Sequence, residues 1–228
     1  MVFAIVLAAG SGSRMQSSLP KQRMLLCGQT VICRSVSAFE ECPDVDRIIV
    51  VCREDELDYM KRELRGMKKI HKIVAGGKTR ADSSYKGLSA IDCDCELVAI
   101  HDAARCLITP KNISCLIESA RLCGAATAAT SLSDSVKRVD AEGNVIGTIQ
   151  RSELVAVQTP QVFDCKRLLS VFCGIDLLDT EITDDNMIYE KTGYPISTVD
   201  IGSENIKITT PRDLLLAELI IKERECQE

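Results

Sequence analysis

Histidine is scarce in this 228-residue chain. His71 and His101 are the only two, so a histidine-based metal centre or proton relay has little to stand on. None of the twelve cysteines forms a Cys-x-x-Cys pair, and Cys93 and Cys95 are one residue apart, which removes the usual zinc spacing. Positive charge is not in excess. With 28 Lys and Arg against 33 Asp and Glu, the formal net charge is −5, which argues against a nucleic-acid partner, because counterion release needs a basic surface. No apolar run is long enough to cross a membrane, and the run 2–9 lacks the cationic segment that precedes a signal core. Repeats, low-complexity tracts and linkers are also missing.

What remains is a composition ordinary for a soluble globular chain, 46% apolar and 27% charged. It reads as one domain over 1–228 with a projecting arm at about 134–155, placed in the cytoplasm. Cys33, Cys52, Cys115 and Cys123 lie in apolar runs and read as small buried hydrophobes in a reducing compartment. Short β-rich runs at 3–7, 47–52, 70–75, 97–101 and 125–130 alternate with amphipathic stretches at 31–39, 54–65, 80–91 and 111–122. This alternation predicts an α/β, Rossmann-like fold: a mostly parallel sheet with helices on both faces and ligands at the carboxyl ends of the strands. Thr109-Pro110 and Thr210-Pro211-Arg212-Asp213 mark helix starts. The last helix carries Leu214, Leu215, Leu216, Leu219 and Ile220, a stripe expected to pack on the core. Segments 135–140 and 145–150 flank Ala141-Glu142-Gly143-Asn144, a β-hairpin signal. A hairpin projecting from an α/β domain is suited to exchange with a second subunit, so a homodimer is expected.

The most informative stretch is Leu7-Ala8-Ala9-Gly10-Ser11-Gly12-Ser13-Arg14-Met15, followed by Pro20-Lys21-Gln22. An apolar strand enters a small-residue loop that lets backbone N–H groups approach phosphate oxygens, and Arg14 and Lys21 supply charge there. Met15 stands where a dinucleotide fingerprint needs its third small residue, and no Gly-Lys-Ser/Thr follows. The loop therefore suits a nucleoside triphosphate held without a Walker motif. Gly76-Gly77 before Arg80 and Ser83 permits close backbone approach to a base or ribose, although Arg80 also fits an exposed first-turn residue. His101-Asp102-Ala103-Ala104-Arg105 ends a buried strand; Asp102 suits Mg²⁺ or ribose hydroxyls, Arg105 suits a phosphate, and a closing ion pair between them is the alternative. His101 reads as structural. Thr183-Asp184-Asp185 reads as a helix N-terminus whose acids the macrodipole explains. Lys207, between Ile206 and Ile208, reads as a cation facing inward or into a cleft.

These motifs occur together and in order, with Asp134-Ser-Val-Lys, Gln158-Thr-Pro-Gln and Asn205-Ile-Lys-Ile-Thr. From Ile5 to about Leu214 the chain resembles cytidylyltransferases acting on polyol phosphates, and among them the 2-C-methyl-D-erythritol 4-phosphate cytidylyltransferase family. The resemblance implies transfer of a cytidylyl group from CTP to that polyol phosphate with release of pyrophosphate. It implies transition-state stabilisation by Arg14 and Lys21, and positioning of the incoming phosphate by Arg151 and Lys207. It also implies a CTP site at Ala8, Ala9, Gly10, Gly12, Gly77, Ser83 and Asp102. Polyol-phosphate contacts would come from Asp102, Arg105, Ser135, Arg151 and Lys207. Mg²⁺ is implied as an ion held mainly by the CTP phosphates, with Asp102 beside it, and the arm of a homodimer is implied to cross to the partner. Cys106 departs from the family's usual Pro. A ribitol-5-phosphate cytidylyltransferase and a non-catalytic nucleotide-binding protein on the same scaffold are the alternatives. Ala104 and Thr183 favour the first reading over ribitol, and the presence of Arg14 and Lys21 favours an enzyme.

Overall fold

The computed structural model describes residues 1–10, 15 and 19–226. Among them, seven strands form one sheet in the order β11-β7-β10-β6-β1-β4-β5. These are β1 (Val2–Leu7), β4 (Arg47–Cys52), β5 (Ile70–Ala75), β6 (Leu97–Asp102), β7 (Ala125–Ser131), β10 (Val155–Asp164) and β11 (Ser197–Asp200). Strand β1 is apolar throughout, as a parallel strand covered on both faces must be. Its alternate residues enter different cores: Ala4 and Val6 one, Phe3 and Ile5 the other. The first core is closed by α1 (Val31–Glu41), α2 (Leu57–Glu63) and α4 (Pro110–Cys123), through Phe39, Met60, Ile113 and Leu116. The second is closed by α3 (Arg80–Ser89), α5 (Cys165–Phe172) and α6 (Asp185–Tyr189), through Leu88, Leu168, Phe172 and Tyr189. Helices therefore cover both faces, as the alternating pattern predicts.

The strands β6, β1, β4 and β5 run parallel, as do β7 and β11. Strand β10 is absent from the sequence reading, and it runs antiparallel to both of its neighbours. Gln161 pairs with Ile100, so reversal of direction brings the first half of β10 beside the carboxyl end of β6. A short pair, β2 (Leu25–Leu26) with β3 (Gln29–Thr30), leads into α1. The expected hairpin is present as β8 (Val136–Val139) and β9 (Val145–Ile149), a separate two-stranded ribbon. Gly143 takes φ +87° in its turn, a left-handed conformation that glycine adopts without strain.

Helix starts follow the sequence signals. Thr79 accepts from Asp82 N–H at 3.0 Å and Thr109 from Asn112 N–H at 3.2 Å, and Asp213 accepts from Thr210 N–H at 2.8 Å. Two expectations need correction. On α7 (Pro211–Glu225), Leu215, Leu216 and Leu219 are exposed, while Ala217, Ile220 and Ile221 are buried. Of the expected stripe, Ile220 is buried and Leu214 packs against the same core, while the other three leucines face outward. Cys52 is buried and Cys33 half-buried, but Cys115 and Cys123 are exposed, on the outward side of α4.

Helix α3 approaches the sheet closely at Gly87. A Cβ there would lie 2.6 Å from Ile5 Cγ2 and 3.0 Å from Val51 Cγ2, both on stiff β-branched core side chains. Gly87→Val is expected to destabilise the protein by about 1–3 kcal/mol, read as a lower urea midpoint with unchanged slope.

Candidate active site

Three loops at the carboxyl edge of the parallel strands build the site. The first leaves β1. Ala8 N–H donates to Val51 O at 2.6 Å and Ala103 N–H to Leu7 O at 3.0 Å, so this loop is tied to both flanking strands. The buried Gln22 amide donates to Ala8 O at 2.7 Å and Gly10 O at 3.4 Å. It fastens the short 3₁₀ turn Lys21–Arg23 beneath the loop and sets Lys21 on the cleft wall. The second loop joins β5 to α3. A Cβ on Gly76 would lie 2.6 Å from Ala9 Cβ, and one on Gly77 would meet Asp82 at 2.0 Å, so both positions need glycine for close approach. Ser83 Oγ accepts from Gly77 N–H at 3.0 Å and donates to Thr79 O at 2.9 Å.

The third loop follows β6. Thr159 Oγ1 accepts from Asp102 N–H at 3.0 Å, and the Asp102 carboxylate receives two cations. Arg80 Nε lies 3.2 Å from Oδ1 and Lys207 Nζ 2.6 Å from Oδ2. Lys207 is not on a strand. It lies in the extended segment before α7, docked by Ile208 N–H on Ala104 O at 2.8 Å. Two further contacts fasten that segment: Arg105 Nη1 on Asn205 O at 2.9 Å, and Asn205 Nδ2 on Thr159 O at 2.9 Å. On its other side Arg80 donates from Nη1 to Asp185 Oδ2 at 2.7 Å. Asp185 is completely buried.

The result is a cleft with two chambers. The larger, about 490 Å³, is lined by Ala9, Gly10, Lys21, Gly77, Ser83 and Asp102 among others. The smaller, about 260 Å³, is lined by Arg105, Gln158, Thr159, Gln161, Thr183 and Asp184. Arg80, Asp102 and Lys207 line both. Burial opposes the charge on Asp102, but Arg80 and Lys207 outweigh it and hold the carboxyl well below its usual range. Burial likewise works against the Arg80 charge, and Asp185 and Asp102 overcome it, raising its pKa. At Asp185 burial prevails and raises the pKa, with Arg80 opposing. The described lining residues are thus rich in cations and include no histidine or cysteine. That suits transfer between phosphates, where the nucleophile is already anionic.

The family model for IspD, 2-C-methyl-D-erythritol 4-phosphate cytidylyltransferase, matches residues 2–223. The chain belongs to this family. A relative of that name from Clostridium perfringens (strain SM101 / Type A) is 41% identical over 223 residues, covering 97% of this chain and 99% of its own. One from Dehalococcoides mccartyi (strain CBDB1) is 39% identical, covering 97% and 96%. Among solved structures, 4-diphosphocytidyl-2C-methyl-D-erythritol synthase from Anaerococcus prevotii DSM 20548 superposes with a TM-score of 0.87 at 30% identity, covering 97% and 96%. The Francisella tularensis cytidylyltransferase gives 0.79 at 30% identity, covering 96% and 98%. The chain is therefore a cytidylyltransferase, with the nucleotidyltransferase fold of this family.

Of the residues singled out from sequence, Ala9, Gly10, Lys21, Gly77, Ser83, Asp102 and Lys207 come together on the larger chamber, and Arg105 on the smaller. Ala8 is buried beneath the loop, where its backbone rather than its surface contributes. Gly12 and Arg14 lie outside the described residues. Ser135 and Arg151 are exposed on the arm, where Arg151 Nη1 donates to Ser133 O; neither lines the cleft of its own chain. Sequence reading missed Thr159 and Gln22, although both sit inside quoted motifs. It also missed the buried pair of Arg80 with Asp185, since a first-turn arginine and a helix-start acid each have an adequate local explanation. No helix among the described residues is long and apolar enough to cross a membrane.

His101 packs under the site as expected of a structural residue. Nδ1 meets Thr159 Oγ1 at 3.1 Å and Nε2 meets Arg105 O at 3.2 Å. Burial, with Asp102 acting against it, moves its pKa from 6.5 down to about 3. Native His101 stays neutral where the unfolded chain takes up a proton, so its contribution to stability is complete above about pH 6.5 and is lost as pH falls towards 3. Unfolding free energy should fall across this window, and His101→Gln should flatten the slope by up to ~1.4 kcal/mol per pH unit. Equal slopes in urea titrations of the two proteins would show that His101 does not titrate there.

Proposed function

We infer that the two-chambered cleft joins CTP to 2-C-methyl-D-erythritol 4-phosphate, giving the CDP-alcohol and pyrophosphate. The observation that carries this reading is the meeting of the chambers at Arg80, Asp102 and Lys207. CTP takes the larger chamber. Its base and ribose lie against Gly77, Ser83 and Asp102, and its triphosphate lies along Ala9 and Gly10, with Lys21 and, by its place in the motif, Arg14 beside it. The polyol takes the smaller chamber, with its hydroxyls towards Asp102, Arg105 and Thr159. Lys207 spends one ammonium proton on Asp102 and has two more for the incoming phosphate.

An oxygen of that phosphate attacks the α-phosphorus in line, and the bond from the α-phosphorus to the bridging oxygen of pyrophosphate breaks. The nucleophile brings its own negative charge, so no proton has to be removed. The protein's work is to hold two anions together and to stabilise charge on the phosphorane and leaving group. Lys21 and, by its place in the motif, Arg14 are assigned to the leaving group, and Lys207 to the incoming phosphate. The described residues contain no group of three or more His, Cys, Asp and Glu side chains suited to hold a metal, and both Asp102 oxygens already take cations. The donor set therefore fits an ion carried on the triphosphate and not one caged by side chains. When bound, Mg²⁺ would neutralise phosphate oxygens that the lysines do not reach.

The arm supports a homodimer. Val139, Val145 and Ile146 are exposed on an isolated two-stranded ribbon, which needs another surface to be stable. In a dimer of crossed arms, Ser135 and Arg151 serve the partner's smaller chamber. The small phosphorylated substrates support a cytoplasmic location.

The deciding assay measures pyrophosphate release with CTP and Mg²⁺ against methylerythritol phosphate, ribitol 5-phosphate and glucose 1-phosphate. Release with the first alone is expected; preference for another acceptor overturns the assignment. Lys21→Ala should lower turnover by on the order of 10²-fold with the fold intact, and near-normal turnover would remove it from the mechanism. Deleting residues 137–150 should give a monomer with little activity. A fully active monomer in sedimentation and turnover measurements would show that the arm is not part of the site.

A further inference from the structure

The wall between the two chambers is a row of alternating charge: Asp185, Arg80, Asp102, Lys207. Successive contacts measure 2.7, 3.2 and 2.6 Å. The four residues come from the start of α6, the start of α3, the end of β6 and the segment before α7. Arg80 is the only member bonded on both sides by carboxylates, and its planar fork makes that possible. Nε serves Asp102 and Nη1 serves Asp185, a division that a lysine's single point charge does not reproduce. Its third nitrogen, Nη2, is buried without a partner among the described residues, so the guanidinium is committed to this bridge.

Asp185 is completely buried on a five-residue helix. Its N–H is taken up by Gln161 Oε1 at 3.0 Å, and its side chain reaches across to α3. A buried ion pair is a poor way to gain stability, because apolar side chains of the same volume do as well. The arrangement makes more sense for what it does to Asp102. With Arg80 in place, the Asp102 charge is shared between two cations. Without it, Asp102 would rest on Lys207 alone, and would both hold that ammonium back and repel an arriving phosphate.

We propose that Arg80 and Asp185 are positioning residues for the transfer reaction: Asp185 anchors the Arg80 guanidinium, and Arg80 neutralises Asp102 so that Lys207 is free to receive the acceptor phosphate. This rests on the assignment of the smaller chamber to the polyol phosphate. The pair acts on the acceptor side. The base-side loop of α3 is held separately, by Thr79 on Asp82 N–H and by Ser83 on Gly77 N–H, so CTP affinity should be largely unaffected.

The test is the double variant Arg80→Met with Asp185→Leu, which removes the pair without leaving a buried charge. Wild-type and variant proteins are compared by thermal unfolding, by calorimetric CTP binding and by steady-state kinetics with methylerythritol phosphate. The expected result is a melting temperature at or above wild type and CTP binding within about threefold. kcat/KM for the acceptor should fall roughly 10- to 100-fold, as for a lost charged hydrogen bond, mainly through KM. A folded double variant with acceptor KM within about twofold of wild type would overturn the proposal and leave the pair purely structural. If the double variant does not fold, Arg80→Lys decides, since it keeps the charge but not the fork. The same rise in acceptor KM supports the proposal, and a KM within about twofold overturns it. Failure of the assignment beneath it looks different: wild-type protein would then release no pyrophosphate with methylerythritol phosphate.

Discussion

The Asp102 carboxylate is the point on which the site turns. It sits at the carboxyl end of β6, buried, with its N–H on Thr159 and its oxygens on Arg80 and Lys207. A carboxylate in such a place is stable only with cations beside it. Those cations in turn fix the start of α3 and the segment before α7. Arg80 passes the constraint on to Asp185 and hence to α6. One buried negative charge thereby organises four stretches of chain that lie far apart in sequence, and it does so where the two chambers meet.

The fold supplies the geometry that lets this happen. Parallel strands β1, β4, β5 and β6 end on one edge, so the loops after them share a cleft. The reversed strand β10 adds what parallel strands cannot: the beginning of a strand at the same edge, carrying Gln158 and Thr159. Glycines at 76 and 77 permit the backbone to approach Ala9 and Asp82 closely. The floor is thus packed to van der Waals contact while the cleft above it stays polar. A family of enzymes that joins two phosphorylated molecules needs this combination of a rigid floor and fixed cations, and has little use for histidine bases.

Much of this was legible in the chain. The parallel strands, the helix starts at Thr109 and Thr210, and the arm all follow from local signals of apolar runs, caps and turn residues. Residues 47–52 and 70–75 form strands where the apolar pattern put them. Lys21, Gly77, Asp102 and Lys207 were singled out as small residues or charges beside apolar runs, and the ordered set of motifs assigned them to a site. Strand β10 was hidden because residues 155–164 mix polar and apolar residues around Pro160, a pattern that reads as loop until neighbours on both sides are known. The leucines of α7 misled for a related reason: with Leu at 214, 215, 216 and 219, hydrophobicity points around much of the helix and does not select a face.

By itself the sequence determined the α/β class and the family, because these depend on short-range patterns and ordered motifs that survive without knowledge of contacts. The tertiary structure alone decided that Arg80 is a buried bridge and not a surface residue. It also decided that Asp185 is its anchor and not a dipole-complementing acid, and that Lys207 shares Asp102 with Arg80. Ion pairs between residues about a hundred positions apart leave no local trace, since each partner is individually compatible with solvent. Only the folded chain removes the water and makes each of these charges depend on the next.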